Sequence, residues 1–257
     1  MRLVEGTCQV MGMPATYAGA TDPGRVRRCN EDGLLLLPEA GVFAVADGLG
    51  GLDAGDLASS TALAHLHDLS LSTDAGGKNP VTQLQAMVAA VNRHTYKQRV
   101  ALGKNMATTL ALVRFAHRAA LVAHVGDSRI YHWRDTTLTT LTRDHSLVNV
   151  LCEQGTLTAS QARHSPQRHV ITRAIGAEPT VQASITPIIV GPGDVLLLCT
   201  DGLTAMVDEK IIAACIAAER ATVGRMVEHL VSMANEAGGH DNITVVAVAL
   251  EEVQQQD

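Results

Sequence analysis

The sequence predicts an α+β fold in which antiparallel sheets carry helices on their outer faces. Three observations predict it. β-Rich runs follow one another through short connections, two long helix-period segments come together early, and two more precede the final apolar run. A doubly wound fold would instead alternate strand and helix around a parallel sheet.

In chain order, runs at 34–37 and 42–46 read as the first strands. Helix-period segments follow at 54–69 and 81–102, the second introduced by Asn79-Pro80, a capping residue and a first-turn proline. Between them the polar, glycine-containing stretch 70–79 reads as a surface loop. Strands come next at 109–115, 119–125 and 129–133, the first two joined across His117-Arg118. A helix at 146–154 precedes strands at 181–190 and 195–199. Helices at 208–218 and 222–236, the latter stopped by Gly238-Gly239, lead to a last strand at 243–250.

At 257 residues, with no linker and no internal repeat, the chain is expected to form one domain spanning 1–257. Aromatic residues make up only 2%, so the core must be built from Val, Leu, Ile and Ala. Acidic residues outnumber basic ones 26 to 20 and no Lys/Arg run occurs, which excludes a nucleic-acid footprint. No apolar stretch has signal-peptide or membrane-spanning length, so a cytoplasmic protein without membrane contact is expected. The five cysteines are scattered and lack any C-x-x-C pair, and are expected to be reduced and mostly core filler.

Four aspartates share a context. Asp47, Asp127 and Asp201 each follow an apolar strand, and Asp241 precedes one. Strand ends are rigid mounts from which carboxylates can converge on a metal. Taken singly, the Asp-Gly pairs at 32–33, 47–48 and 201–202 read as hairpin turns. A tight hairpin needs a second alternating strand at once, however, and neither Leu49 onward nor Leu203 onward begins one. Carboxylates beside an exposed glycine carbonyl suit hard cations such as Mg²⁺ and Mn²⁺, so metal binding explains them jointly. Other phosphate chemistries fail on spacing. The glycines at 48–55 match neither a dinucleotide fingerprint nor a P-loop, no cysteine has Arg six positions on, and neither Asp-x-Asp nor His-Arg-Asp occurs.

Together these segments resemble the metal-dependent serine/threonine protein phosphatases, the type 2C family, and in particular its compact bacterial members. Gly24, Arg27, Asn30, Glu31 and Asp32 fall on G-x-x-R-x-x-N-E-D, and Asp47-Gly48 on the aspartate–glycine element. Ala107-Thr108-Thr109 resembles G-T-T, with Ala in place of Gly. Val125 to Tyr131 resembles V-G-D-S-R-x-Y, and Thr142 to Ser146 resembles T-x-D-H-S. Thr200-Asp201-Gly202 and Asp241-Asn242 close the series in the family's order.

The resemblance implies a four-layer αββα sandwich of two mainly antiparallel sheets with the metal site at one edge. It implies that Asp47 bridges two metals, that Asp201 and Asp241 complete the first, and that the Gly48 carbonyl serves the second. Glu31 would hold metal-bound water, Asp127 would bind a third metal, and Asp32 would act behind the ligands. The ions would be two or three Mn²⁺ or Mg²⁺. Two cations about 3.5–4 Å apart would generate a bridging hydroxide for direct attack on phosphorus. Arg27 matches the arginine that grips the phosphate. Leu49 stands where some members have a histidine proton donor, so that role is left unassigned. His145 and His240, near the motifs, are expected to make structural hydrogen bonds, because hard cations favour oxygen. Segment 146–173 corresponds to the family's flap and 1–13 is an N-terminal extension. The implied substrates are phosphorylated Ser/Thr proteins, including a cognate kinase or its targets, acted on by a monomer. A catalytically silent phosphoprotein-binding regulator and a phosphatase of small phosphate esters are the alternatives.

Overall fold

The computed structural model describes residues 1–50, 54–72, 79–116 and 119–251. The His117-Arg118 connection, most of the loop 70–79 and residues 51–53 beyond the aspartate–glycine element lie outside the described residues.

Two sheets form, and every strand pairing among the described residues is antiparallel. The first runs in the order β1 (Arg2–Val10), β2 (Met13–Asp22), β12 (Ile243–Leu250), β11 (Val195–Cys199), β8 (Arg129–Arg134) and β9 (Thr137–Thr140). The second runs β10 (Ser184–Ile188), β7 (Ala119–Val125), β6 (Leu110–Ala116), β4 (Val42–Leu49) and β3 (Asp32–Leu37), with β5 (Ala107–Thr108) paired to the end of β4.

Strand alternation separates three apolar layers. Phe43, Val45, Val113, Leu196, Leu198 and Val246 point between the sheets. Their neighbours Val42, Ala44, Ala46 and Leu112 face α1 (Ala54–Ser72) and α2 (Pro80–Leu102), packing on Leu66, Leu84 and Val91. On the other side, Val195, Leu197, Val245 and Ala247 meet Ile212 and Ile216 of α6 (Glu209–Glu219) and Val227 and Leu230 of α7 (Val223–Glu236). Both faces of the central strands are therefore buried, which is why β11 and β12 read as continuous apolar runs. Each such side chain contributes about 1.5–3 kcal/mol, and this packing fixes the strand ends that carry the acidic residues.

The expected caps form. Asn79 Oδ1 accepts from Val81 N–H at 2.9 Å at the start of α2, and α7 ends before Gly238 and Gly239, both at positive φ.

Several boundaries differ from expectation. Residues 1–13 are not an appendage. They form edge strand β1, paired with β2 along its whole length through a two-residue turn at Met11 and Gly12, both at positive φ. Strand β9 returns through a similar turn at Asp135 and Thr136. The expected strand 181–190 is held to Ser184–Ile188 and contains Pro187, which is tolerated because β10 is an edge strand. Asp47 and Gly48 do not end their strand. β4 continues through them to Leu49, with Gly48 opposite Thr108. Asp201-Gly202 opens a one-turn helix, α5 (Asp201–Thr204). The segment 146–173 folds as α3 (Leu147–Glu153), capped by Ser146, and α4 (Ala159–His164), capped by Thr158.

Candidate metal centre

At one end of the sandwich a cavity of about 670 Å³ is lined by Arg27, Glu31, Asp47, Gly48, Asp127, Asp201 and Asp241. All six residues expected to ligate metal are thus brought together with the expected phosphate arginine. Asp32 does not line the cavity. It sits opposite Asp47 in the β3–β4 register, and its Oδ2 accepts from Thr200 Oγ1 at 2.8 Å.

Local hydrogen bonds fix the backbone that carries Glu31, Asp47, Asp127 and Asp241. The Asp47 backbone is held on both sides by the Thr108-Thr109 pair. Its N–H donates to Thr109 Oγ1 at 2.9 Å and its carbonyl accepts from Thr109 N–H at 2.9 Å and Thr108 Oγ1 at 2.8 Å. Asp127 stands on the β7–β8 loop, where Gly126 N–H donates to His145 Nδ1 at 3.2 Å and Gly126 carbonyl accepts from His145 N–H at 2.9 Å. Arg129 grips Asp144 with two bonds of 3.0 and 2.8 Å, tying that loop to the segment before α3. Asn242 anchors the loop after α7: its Oδ1 accepts from Glu31 N–H at 2.8 Å and its Nδ2 donates to the Cys29 carbonyl at 2.9 Å. The elements carrying Glu31 and Asp241 are thereby joined.

Two glycines are required by close approach. A Cβ on Gly202 would stand 1.9 Å from the Asn242 carbonyl oxygen. A Cβ on Gly55 would stand 2.7 Å from the Glu31 carboxyl carbon and 2.8 Å from the Gly48 carbonyl oxygen, filling the space over two expected donors.

The electrostatics identify what the cavity suits. Burial, followed by the charges of Asp32, Asp201, Asp127 and Asp241, pushes the Asp47 carboxyl well above the usual carboxylate range. Burial and then Asp201 push Asp127 up to about 7. Burial pushes Asp32 up to about 7 although Thr200 donates to it. Asp201 is raised by burial and by Asp241. Asp32 Oδ1 is buried with no hydrogen-bond partner among the described residues. Converging carboxylates raised by one another, offered with a glycine carbonyl and no thiol or imidazole among the expected donors, fit hard divalent cations.

These shifts have a sign. Each raised carboxyl binds more protons folded than unfolded, so it costs stability as pH rises through its folded pKa. His65, His124 and His145, which burial holds below their ordinary value, oppose this slope up to about pH 7.5, because their unfolded imidazoles are still losing protons there. They contribute alike with and without metal, so the gap in melting temperature between chelated and Mn²⁺-loaded protein is expected to widen between about pH 6.5 and 8. A gap that is constant or narrows over that range would contradict it.

Arg27 Nη2 donates to Asp241 Oδ2 at 2.8 Å, half-exposed at the mouth. Leu49 lines the cavity, and the imidazoles that do so are His169 and His240. His145 is structural as expected: besides Gly126 it pairs with Ser184 Oγ at 3.0 Å and stacks on His124 at 4.5 Å. Sequence reasoning missed the roles of Thr200, whose signal was a hydroxyl next to Asp201 at a strand end, and of Thr109, which meets Asp47 only through the pairing of distant segments. It also missed Arg168, His169 and Ile171, flap residues that reach the cavity, with His169 Nδ1 3.9 Å from Asp201 Oδ2. No periodicity marks those three.

Comparison with known proteins gives a consistent result. The family model described as protein phosphatase 2C matches residues 26–244. The serine/threonine phosphatase stp of Listeria monocytogenes is 36% identical over 241 residues, covering 89% of this chain and 93% of that protein. The crystal structure of the Mycobacterium tuberculosis serine/threonine phosphatase PstP/Ppp superposes with a TM-score of 0.85 at 34% identity, covering 93% of this chain and 99% of that one. A structure of the PstP catalytic domain in complex with two manganese ions has a TM-score of 0.81 at 32% identity, covering 93% and 99%.

Proposed function

The chain belongs to the protein phosphatase 2C family, and from that premise we propose how its residues carry out the metal-dependent serine/threonine phosphatase activity of the family. The observation that carries the reading is the convergence of Glu31, Asp47, Gly48, Asp127, Asp201 and Asp241 on one cavity that also holds Arg27. Asp47, Asp201 and Asp241 would hold one divalent cation, Asp47 and the Gly48 carbonyl a second, with Glu31 acting through water, and Asp127 a third. The cations would be Mn²⁺ or Mg²⁺, and the chemistry supplied by such ions is Lewis-acid activation of water and neutralisation of the negative charge that the aspartates present to a phosphate.

The chain's own groups do the rest. Thr108 and Thr109 fix the Asp47 backbone, Asn242 couples Glu31 to Asp241, and Asp32 supports the cluster from behind through Thr200. The Arg27 fork, already beside Asp241, is positioned to take phosphate oxygens at the mouth. Flap residues Arg168 and His169 line the same opening, where a substrate side chain must enter. Substrates are phosphorylated Ser/Thr proteins, and we include among them a cognate kinase or its targets, met by a cytoplasmic monomer. Five free cysteines fit a reducing compartment, and no helix among the described residues is long and apolar enough to cross a membrane.

The test is phosphate release from a phosphothreonine peptide in Mn²⁺, with Arg27→Ala alongside. Loss of charge-assisted bonds is expected to lower kcat/KM by about 10- to 100-fold. Melting should hardly change, because a half-exposed ion pair contributes about 0–1 kcal/mol. Peptide binding without turnover in the wild type would instead favour a silent phosphoprotein-binding regulator, and turnover confined to small aryl phosphates an esterase of small substrates. An unchanged kcat/KM would remove Arg27 from the phosphate.

A further inference from the structure

Between α6 and α7, outside the cavity, Cys215, Glu219 and His229 bring a sulfur, a carboxylate oxygen and an imidazole nitrogen within 4.8 Å of one another. Cys215 and Glu219 are four residues apart on α6 and so share one face. Cys215 Sγ lies 3.9 Å from the Met226 carbonyl, which turns that face toward α7. From α7, His229 Nδ1 approaches Glu219 Oε1 at 3.3 Å. Two donors about 2.1 Å from a tetrahedral ion stand about 3.4 Å apart, so this pair already has the required separation.

Glu219 supplies the independent sign of a missing cation. Its side chain is only 14% exposed, and Oε2 is buried with no hydrogen-bond partner among the described residues. A buried carboxylate oxygen without a donor is costly unless a cation meets it. Arg225 does not fill that role. Its Nε stands 3.6 Å from Oε1, on a side chain 77% exposed. Depth is graded, with Cys215 7% exposed at the floor and the His229 side chain 53% exposed at the mouth. The open side gives a metal its entry path and a water as fourth ligand.

We propose that Cys215, Glu219 and His229 form a site for one zinc-class divalent cation, which clamps α6 to α7. The mixed sulfur, nitrogen and oxygen set selects a borderline cation over Mg²⁺ or Mn²⁺, unlike the all-oxygen set of expected donors in the cavity. The clamp bears on the active end. Asn235 of α7 donates to Asp22 Oδ1 at 3.1 Å, and the Gly239 carbonyl just beyond that helix accepts from Arg25 N–H at 2.8 Å, two residues before Arg27.

The test is Co²⁺ titrated into the full chain held in excess Mg²⁺. An oxygen site yields no thiolate-to-Co²⁺ charge-transfer band, so a near-ultraviolet band saturating at one equivalent reports this cluster. It is expected in the wild type and lost in Cys215→Ser and in His229→Gln. Zn²⁺ added in excess Mg²⁺ is expected to raise the melting temperature of the wild type and not of either variant. His229 is half-exposed, so His229→Gln keeps the test alive if the buried Cys215→Ser fails to fold. No thiolate band in the wild type, or one that survives both substitutions, overturns the site. Mn²⁺-dependent phosphate release by both variants is expected to match the wild type, so failure here leaves the phosphatase assignment standing.

Discussion

Asp47→Asn is expected to lower kcat on a phosphothreonine peptide by at least about 10³-fold, equivalent to roughly 4 kcal/mol of transition-state stabilisation. The amide keeps the shape of the carboxylate but removes the charge that two cations would share. Asp47 sits in β4 with its backbone pinned by Thr108 and Thr109, so the amide is held at the same place in the cavity as the carboxylate it replaces. The same change has an opposite effect on the chelated protein. Asp47 is the carboxyl most crowded by others, with Asp32, Asp201, Asp127 and Asp241 all raising it, and neutralising it relieves that repulsion. The variant is expected to melt at or above the wild type in chelator and to gain less from Mn²⁺. Retained activity together with an unchanged response to Mn²⁺ would mean that Asp47 does not hold the metal.

Gly202→Ala is expected to be the most disruptive single methyl group at the site. Gly202 lies in α5, and replacing a helical glycine by alanine ordinarily stabilises by about 0.5–1 kcal/mol. Here the new Cβ would stand 1.9 Å from the Asn242 carbonyl oxygen, a backbone atom that cannot turn aside. Overpacking of this kind costs about 1–3 kcal/mol or more, so the clash wins over propensity. A fall in melting temperature of about 5–10 °C is expected for a chain of this length. Activity should fall with it, because Asp201 and Asp241 flank the colliding atoms and are forced apart. A variant as stable and active as the wild type would show that the contact between α5 and the loop before β12 relaxes freely.

Much of this arrangement was legible in the sequence, for identifiable reasons. The central strands read clearly because both faces are buried, so β11 and β12 are unbroken apolar runs. Helix ends with specific caps, such as Asn79-Pro80, were also plain. The edge strands were not. β1 is half-exposed and interleaves Glu5, Thr7 and Gln9 with small residues, and its turn uses Met11 at positive φ, where the favoured residues are Asn, Asp and Gly. β9 hides because it is short and mostly exposed and its turn puts Thr136, a β-branched residue, at positive φ. At the site, a carboxylate at the end of an apolar run can be recognised by type and position, so Asp47, Asp127, Asp201 and Asp241 were readable from the residues, whereas Glu31 and the Gly48 carbonyl were supplied only by the family resemblance; all six line one cavity. Flap residues such as His169 could not be picked out. Which side chains of an irregular segment turn inward depends on tertiary contacts such as Leu147 N–H to the Val170 carbonyl, and those leave no spacing rule. Nor does an i,i+4 Cys-Glu pair announce a histidine ten residues further on.

The most direct test of the metal centre is the count of Mn²⁺ bound per chain, read from the free-ion electron paramagnetic resonance signal during titration, for the wild type, Asp201→Ala and Asp241→Asn. The assignment predicts two or three tightly bound ions in the wild type and the loss of at least one in each variant, in step with the loss of phosphate release from the phosphothreonine peptide. Binding of fewer than two ions by the wild type, or a count that neither substitution alters, would contradict it.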